Sequence, residues 1–407
     1  MQTSINNKFR HNPDIDEAEK ILRSCVHCGF CTATCPTYQI LGDELDSPRG
    51  RIYLIKQVLE GNKVTEKTQS HLDRCLTCRS CETTCPSGVQ YARLVDIGRE
   101  IVEQQVGRGL TTRIQRLMLR KILPYPSRFS LLLKSGQALK PLLPDTLKTK
   151  IPETQPITTS VATSSHKRKM LVLQGCVQSV TTPETNQAAA RVLNKLGIEL
   201  ISAAGAGCCG AVSHHLSAKQ EAIDFMRRNI DAWWPLIENN NKAEAIVITA
   251  SGCGATVKEY GHILQHDPKY AQKAKHISDM AKDISEIIAE EKLNINNLNS
   301  RPKKVSFHSP CTLQHGQKLP GLVEKILEDA GFKLTHVNDA HICCGSAGTY
   351  SILQPVLSQK LLNNKLSALE NEQPDVIATA NVGCQMHLSS KTDIPVKHWI
   401  QLIDEVL

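Results

Sequence analysis

Eight of the 16 cysteines in this chain fall in two short runs. The first places Cys25, Cys28, Cys31 and Cys35 ahead of Pro36, and the second places Cys75, Cys78, Cys81 and Cys85 ahead of Pro86. Each run reads C-x2-C-x2-C-x3-C-P, and equivalent cysteines lie 50 residues apart. Runs of this kind bind pairs of [4Fe–4S] clusters, with the fourth cysteine of each run serving the other cluster. The pattern therefore predicts one cluster on Cys25, Cys28, Cys31 and Cys85 and a second on Cys75, Cys78, Cys81 and Cys35. Three thiolates two residues apart close a tight loop around three corners of a cube. The longer step swings the fourth away, and the proline ends the turn. Zinc sites take four ligands, usually as two separated pairs, so a doubled four-cysteine run ending in proline points away from zinc and from a disulfide framework.

The other eight cysteines form an internal repeat with a period of 135 residues. The first copy has Cys176 after the strand-like MLVLQG, then Cys208-Cys209-Gly210, then Cys253 after AIVITASG. The second has Cys311 after VSFHSP, then Cys343-Cys344-Gly345, then Cys384 after DVIATANVG. From the first cysteine to the pair is 32 residues in both copies; the remaining interval is 44 residues in one and 40 in the other. Strands alternate with helices such as ETNQAAARVLNKLG and LVEKILEDAG, which predicts α/β units with largely parallel pairing. The thiols then fall just past strand carboxyl ends, the edge where open α/β sheets place ligands. Four gathered thiols suit a further metal cluster, a zinc ion, a redox-active disulfide or reduced structural cysteines, and the sequence leaves these open. His214 and His215 follow the first pair, and His308, His315, His341 and His387 crowd the second copy, as proton donors, ligands or turn residues.

The elements that position the two runs read as helical. Residues 14–24 suit a short amphipathic helix. Residues 46–51 (DSPRGR) read as a turn, followed by the helix IYLIKQVLEG, which Gly61 closes. Arg49, Arg51, Arg74 and Arg79 lie near the ligands in sequence, either offsetting thiolate charge or as solvated surface residues.

The net charge of +8 is local: residues 106–150 hold ten Lys or Arg against Asp145, so the stretch is +9 and the remainder −1. That distribution argues against a nucleic-acid surface. The first part of this stretch, RIQRLMLRKILPYPSRFSLLLKSGQALKPLLP, suits a membrane-surface segment, a helix pair on a partner subunit, or a charged connector. Its prolines prevent one continuous helix and favour the latter two. The following IPETQPITTSVATSSHKRK reads as a flexible tether. No apolar h-region opens the chain, and no run approaches 18 apolar residues, which is consistent with reduced thiols in a cytoplasmic setting. The predicted organisation is multi-domain α and α/β. A mainly helical two-cluster ferredoxin domain (1–105) precedes a basic connector and linker (106–165). Two repeated α/β cysteine-rich Cys-Cys-Gly (CCG) domains follow, 166–295 and 301–407.

In this order the motifs resemble the iron–sulfur subunits of flavin-linked oxidoreductases, among them heterodisulfide reductase, anaerobic glycerol-3-phosphate dehydrogenase and lactate-utilisation proteins. The stretches CVHCGFCTATCPTYQ, SPRGRIYLIKQ, HLDRCLTCRSCETTCPSGV, NIDAWWP and CCGSAGTY most resemble the glycolate oxidase (glycolate dehydrogenase) iron–sulfur subunits. The resemblance implies a subunit of a membrane-associated complex that oxidises glycolate to glyoxylate. FAD and substrate would sit on a separate subunit, a third related subunit would complete the assembly, and a quinone-type acceptor would take the electrons. It also implies a peripheral place on the cytoplasmic face of the inner membrane. The fullest family pattern ends each repeat in C-x2-C, whereas Ala250 and Asn381 stand three residues before Cys253 and Cys384 here. The chain has no G-x-G-x-x-G opening a helix after a strand and no G-x-x-x-x-G-K-[ST], so the expected chemistry is electron relay without a substrate site. The alternatives are the iron–sulfur subunit of a D-lactate or glycerol-3-phosphate oxidoreductase, a thiol or disulfide reductase using the CCG domains, and a zinc-stabilised scaffold.

Overall fold

The computed structural model describes residues 1–140, 165–238, 242–291 and 303–407. It divides into two compact units, Met1–Leu117 with Asp339–Lys365, and Met118–Asn338 with Leu366–Leu407.

The first unit is helical. Pro13–Ser24 begins on an Asn12 cap with proline in its first turn, and Glu66–Asp73 begins on a Thr65 cap. Pro48–Leu59 begins on Ser47, whose hydroxyl accepts from the Gly50 N–H at 3.0 Å. Residues 48–51, expected as a turn, are thus the first turn of this helix. Proline is at home there because its missing N–H has no intrahelical partner in any case. Gly61, at φ 93°, lies just past the helix end as expected. These helices and Tyr91–Val106 bury Ile15, Leu22, Ile55, Leu72, Leu94 and Val95 in one core, which also holds Cys25, Cys75 and Cys81.

The basic stretch forms two helices, Leu110–Ile122 and Pro126–Leu139, separated at Pro124 and Pro126. Within the first unit Arg108 and Arg116 pair with Asp73 at 2.7 and 3.3 Å. Within the second, Lys121 pairs with Glu221 at 3.1 Å. Most of the tether, residues 151–164, lies outside the described residues. Among those described, no helix is long and apolar enough to cross a membrane.

The second unit carries two four-stranded, all-parallel sheets of identical order. In the first, β1 (Arg168–Val172), β2 (Ile198–Ser202), β3 (Ile246–Ile248) and β4 (Ala281–Asp283) run β2-β1-β3-β4. In the second, β5 (Lys304–His308), β6 (Lys333–Leu334), β7 (Val376–Thr379) and β8 (Val396–His398) run β6-β5-β7-β8. The repeats share one core, in which Val192, Val247 and Ile287 join Val305, Leu327, Trp399 and Leu402. They are also stitched beyond β3: Ser251 N donates to Ala380 O at 3.0 Å, and Gln317 Nε2 donates to Ser251 O at 3.1 Å.

Candidate metal centres

Each cysteine run wraps its loop with left-handed residues at matching places. His27 (φ 55°) and Gly29 (φ 85°) in the first correspond to Thr77 (φ 53°) and Arg79 (φ 62°) in the second. Such turns point backbone N–H groups inward, and Thr77 N donates to Cys75 Sγ at 3.4 Å. Two cavities result. One is lined by Cys25, Cys28, Cys31 and Cys85, with Cys81 also at its wall. The other is lined by Cys35, Cys75, Cys78 and Cys81. The fourth cysteine of each run thus lines a cavity with the first three of the other. Pro48 and Tyr91 line both cavities.

The donor set fits iron–sulfur ligation, since each cavity gathers at least four soft thiol donors. Burial pushes the Cys31 thiol up to about 11, against the opposing backbone N–H of Arg49. Burial and the neighbouring thiols Cys78 and Cys75 raise Cys81 as well. Ligation would release these protons. The cavities differ in surroundings. Cys28 is exposed, whereas Cys35, Cys75 and Cys81 are buried.

Sequence reasoning left Arg51 undecided between surface and site. It is 1% exposed and lines the second cavity. Its Nη1 and Nη2 each donate to Thr37 Oγ1 at 3.1 Å, its Nε donates to His71 O at 2.7 Å, and Nη2 lies 3.2 Å from Asp46 Oδ1. Thr37 Oγ1 is in turn 3.3 Å from Cys35 Sγ. Burial alone would depress the guanidinium pKa, but Tyr91, Cys75, Cys35 and Asp46 hold it above its usual value. Arg74 pairs with Asp46 at 2.9 Å, while Arg49 pairs with Glu44 near the surface. Thr37, Asp46 and Tyr91 were missed; their only signal was polar residues lying between or just after the runs. Tyr91 Oη donates to Cys75 Sγ at 3.6 Å.

In the first CCG repeat all four thiols meet beyond the sheet's carboxyl edge. Cys176 Sγ donates to Cys208 Sγ at 3.6 Å. Cys209 accepts from Cys208 and from Cys253, which holds its pKa well down despite burial, with the Ala211 N–H and His215 assisting. Its two donors are correspondingly raised, each most strongly by a hydrogen-bonded thiol neighbour. Asn229 Nδ2 donates to Cys208 O at 2.9 Å, and Tyr260 Oη to Cys209 O at 2.8 Å, fixing the pair from behind. A hydrogen-bonded chain of four sulfurs, three of them on buried cysteines, is a donor set that soft metals select.

The second repeat divides between the units. Cys343 and Cys344 belong to the first, where Tyr350 of the same segment donates to Arg74 O at 3.1 Å. Cys311 and Cys384 belong to the second and are buried. The local turn at the two pairs is the same. Gly210 and Gly345 both sit at φ 90°, and each N–H donates to the sulfur of the first cysteine at 3.4 Å. Of the six histidines near the CCG cysteines, His308 and His315 are buried.

Two domain families match the chain: the 4Fe-4S dicluster domain over residues 21–89, and the cysteine-rich domain over 170–258 and 305–389. The glycolate oxidase iron-sulfur subunit of Escherichia coli (strain K12) is 55% identical over 407 residues, covering 100% of this chain and 99% of that protein. The chain belongs to the glycolate oxidase iron–sulfur subunit family. The probable glycolate oxidase iron-sulfur subunit of Bacillus subtilis (strain 168) is 30% identical, covering 94% of this chain and 91% of its own. Lactate utilization protein A of Bacillus velezensis is 27% identical over 55% of this chain and 92% of its own.

Within this family membership, the two departures from C-x2-C take on structural roles. Ala250 is buried at the start of the Ser251–Val257 helix. The Asn381 amide donates to Cys384 Sγ at 3.5 Å, and its oxygen accepts from Gly252 N at 3.3 Å. Asn381 thus links the thiol edge of one repeat to the other.

Proposed function

We propose that this chain is the electron-relay subunit of a glycolate-oxidising complex. Cys25, Cys28, Cys31 and Cys85 hold one [4Fe–4S] cluster, and Cys35, Cys75, Cys78 and Cys81 hold the other. When bound, the clusters supply one-electron carriage between a reduced flavin on a separate subunit and a quinone-type acceptor. A third, related subunit completes the assembly, which lies peripherally on the cytoplasmic face of the inner membrane. The chain's own residues ligate through thiolates, exclude water through the core around Cys25, Cys75 and Cys81, and tune charge through Arg51. The observation that carries this reading is the crossed sorting of eight thiols into two neighbouring cavities.

Iron and sulfide analysis with low-temperature EPR tests it. About eight iron atoms per chain are expected from two four-iron clusters, with both reduced by glycolate only when the flavoprotein subunit is present. Zinc without iron, or glycolate oxidation by the chain alone, would overturn it. Cys35→Ser should remove the signal of the cluster on Cys75, Cys78 and Cys81 while leaving that of the run to which Cys35 itself belongs. Loss of the opposite signal would refute the crossed assignment.

The sulfur chain around Cys209 favours a second role for the first CCG repeat, as a further metal site or a redox thiol group. Cys209→Ser tests it: metal content or glycolate-driven electron transfer should fall, and no change in either would leave the repeat purely structural.

A further inference from the structure

The two cluster cavities have different electrostatic walls. The one with the more exposed thiols has Arg49 at its rim, 36% exposed and paired with Glu44, so solvent screens its charge. The other is lined by Arg51, 1% exposed, and by Arg79. Asp46, 0% exposed, does not cancel Arg51, because Arg74 shares the carboxylate at 2.9 Å and His71 Nδ1 lies 3.1 Å from it. Two guanidinium groups against one carboxylate leave a net positive charge beside the thiols. Both terminal nitrogens of Arg51 converge on Thr37, whose hydroxyl lies 3.3 Å from Cys35 Sγ.

An arginine is almost never fully buried unless paired, and Coulomb interactions strengthen as water is excluded. Reduction adds one electron, and no proton, to a centre already anionic from four thiolates, which burial of those thiols disfavours. A fixed positive charge in the wall lessens that penalty. Cluster charge, hydrogen bonds to sulfur and exposure are the levers that set the potential.

We propose that Arg51 is a positioning residue for electron transfer: its buried charge in the cavity wall raises the reduction potential of the cluster on Cys35, Cys75, Cys78 and Cys81. This rests on the ligand assignment proposed above. Without Arg51 the cluster on the more buried thiols would be the harder of the two to reduce; with it, the cluster becomes an accessible step in the relay.

The test is an EPR-monitored redox titration of the holoprotein in wild type, Arg51→Met, Arg51→Lys and Asp46→Asn. Wild type must first show two four-iron signals; their absence would defeat the ligand assignment and not this inference alone. Arg51→Met should lower the potential of one cluster by at least tenfold in its reduced-to-oxidised ratio at fixed potential, which is 59 mV for one electron. The other cluster should move much less, because Arg51 is not in its wall. Arg51→Lys should restore most of the shift. Asp46→Asn, which removes a negative charge at nearly constant shape, should move the same signal upward. A merely structural arginine would not give shifts of opposite sign. Unchanged potentials, or shifts of the same sign in Arg51→Met and Asp46→Asn, would overturn the proposal. If Arg51→Met binds no second cluster, the direction of the Asp46→Asn shift alone decides it.

Discussion

His398 does two jobs with one neutral ring. Its Nδ1 accepts from Ile400 N at 3.2 Å, capping the Trp399–Val406 helix, while its Nε2 lies 2.8 Å from Thr249 O in the other repeat. The ring must therefore carry its proton on Nε2 and keep Nδ1 bare. Burial depresses its pKa from 6.5 to about 4, the backbone carbonyls of Thr249 and Ala380 only partly opposing. The folded-state pKa is lowered, so between about pH 6.5 and 4 the unfolded chain binds a proton that the folded chain refuses. Stability from this residue is complete above that window and lost as pH falls through it. The loss should be roughly 2 kcal/mol between pH 7 and pH 5. Urea unfolding at the two pH values measures it, with His398→Gln as the reference. The variant should lose stability at pH 7 but show a flatter pH dependence, and an identical slope would show that the ring does not titrate this way.

The Pro48–Leu59 helix is the element on which the second cavity depends, because it presents Pro48 and Arg51 to it. A Cβ on Gly50 would lie 1.9 Å from the carbonyl oxygen of Glu44, a backbone atom that cannot swing aside. Gly50→Ala should therefore displace the helix start and carry Arg51 with it, and purified protein should contain clearly less than the wild-type iron. Ser47→Ala, which removes only the cap, should cost about 1 kcal/mol and retain both clusters. Equal iron in all three proteins would mean that the helix start does not hold the site. The same element shows what the sequence disclosed. Its body was legible from the apolar period beginning at Ile52, and its end from Gly61. Its first turn was not, because Pro48 and Gly50 are turn formers by composition, and Gly50 is required here by close approach to Glu44. The inward direction of Arg51 was likewise hidden. Its compensating partners, Thr37, Asp46 and the thiols, come from segments that only the folded chain brings together. The cysteine runs needed no such knowledge, because ligand spacing is itself local.

At the scale of the chain, the 135-residue repeat was visible as matched cysteine intervals, but its physical consequence was not. The first copy closes one core of its own, around Leu171, Met226, Trp233 and Tyr260, but the two copies also share a second. Val192 and Val247 of the first are buried in the same cluster as Val305, Leu327 and Trp399 of the second. The Pro183–Lys195 helix is tied to the C-terminal helix by Arg191, which pairs with Asp404 at 2.6 Å. Packing of this kind arises because each sheet has apolar residues that its own helices do not cover, and a second copy supplies the missing surface. The two repeats should accordingly open together. Trp399 is fully buried in that shared core, and Trp399→Ala should cost about 3–5 kcal/mol. The informative readout is amide exchange in the other repeat, at Leu171, whose N–H donates to Ala245 O at 2.9 Å, and at Leu173, which donates to Val247 O at 3.1 Å. If the core is one cooperative body, Trp399→Ala lowers protection at Leu171 and Leu173 by as much as at Phe307 and Ile377 in its own repeat. If the repeats are merely adjacent, protection falls at Phe307 and Ile377 and stays at Leu171 and Leu173. Mild loosening at Trp399 would then also leave the alkylation rate of Cys208 and Cys209 unchanged, whereas the shared core requires it to rise.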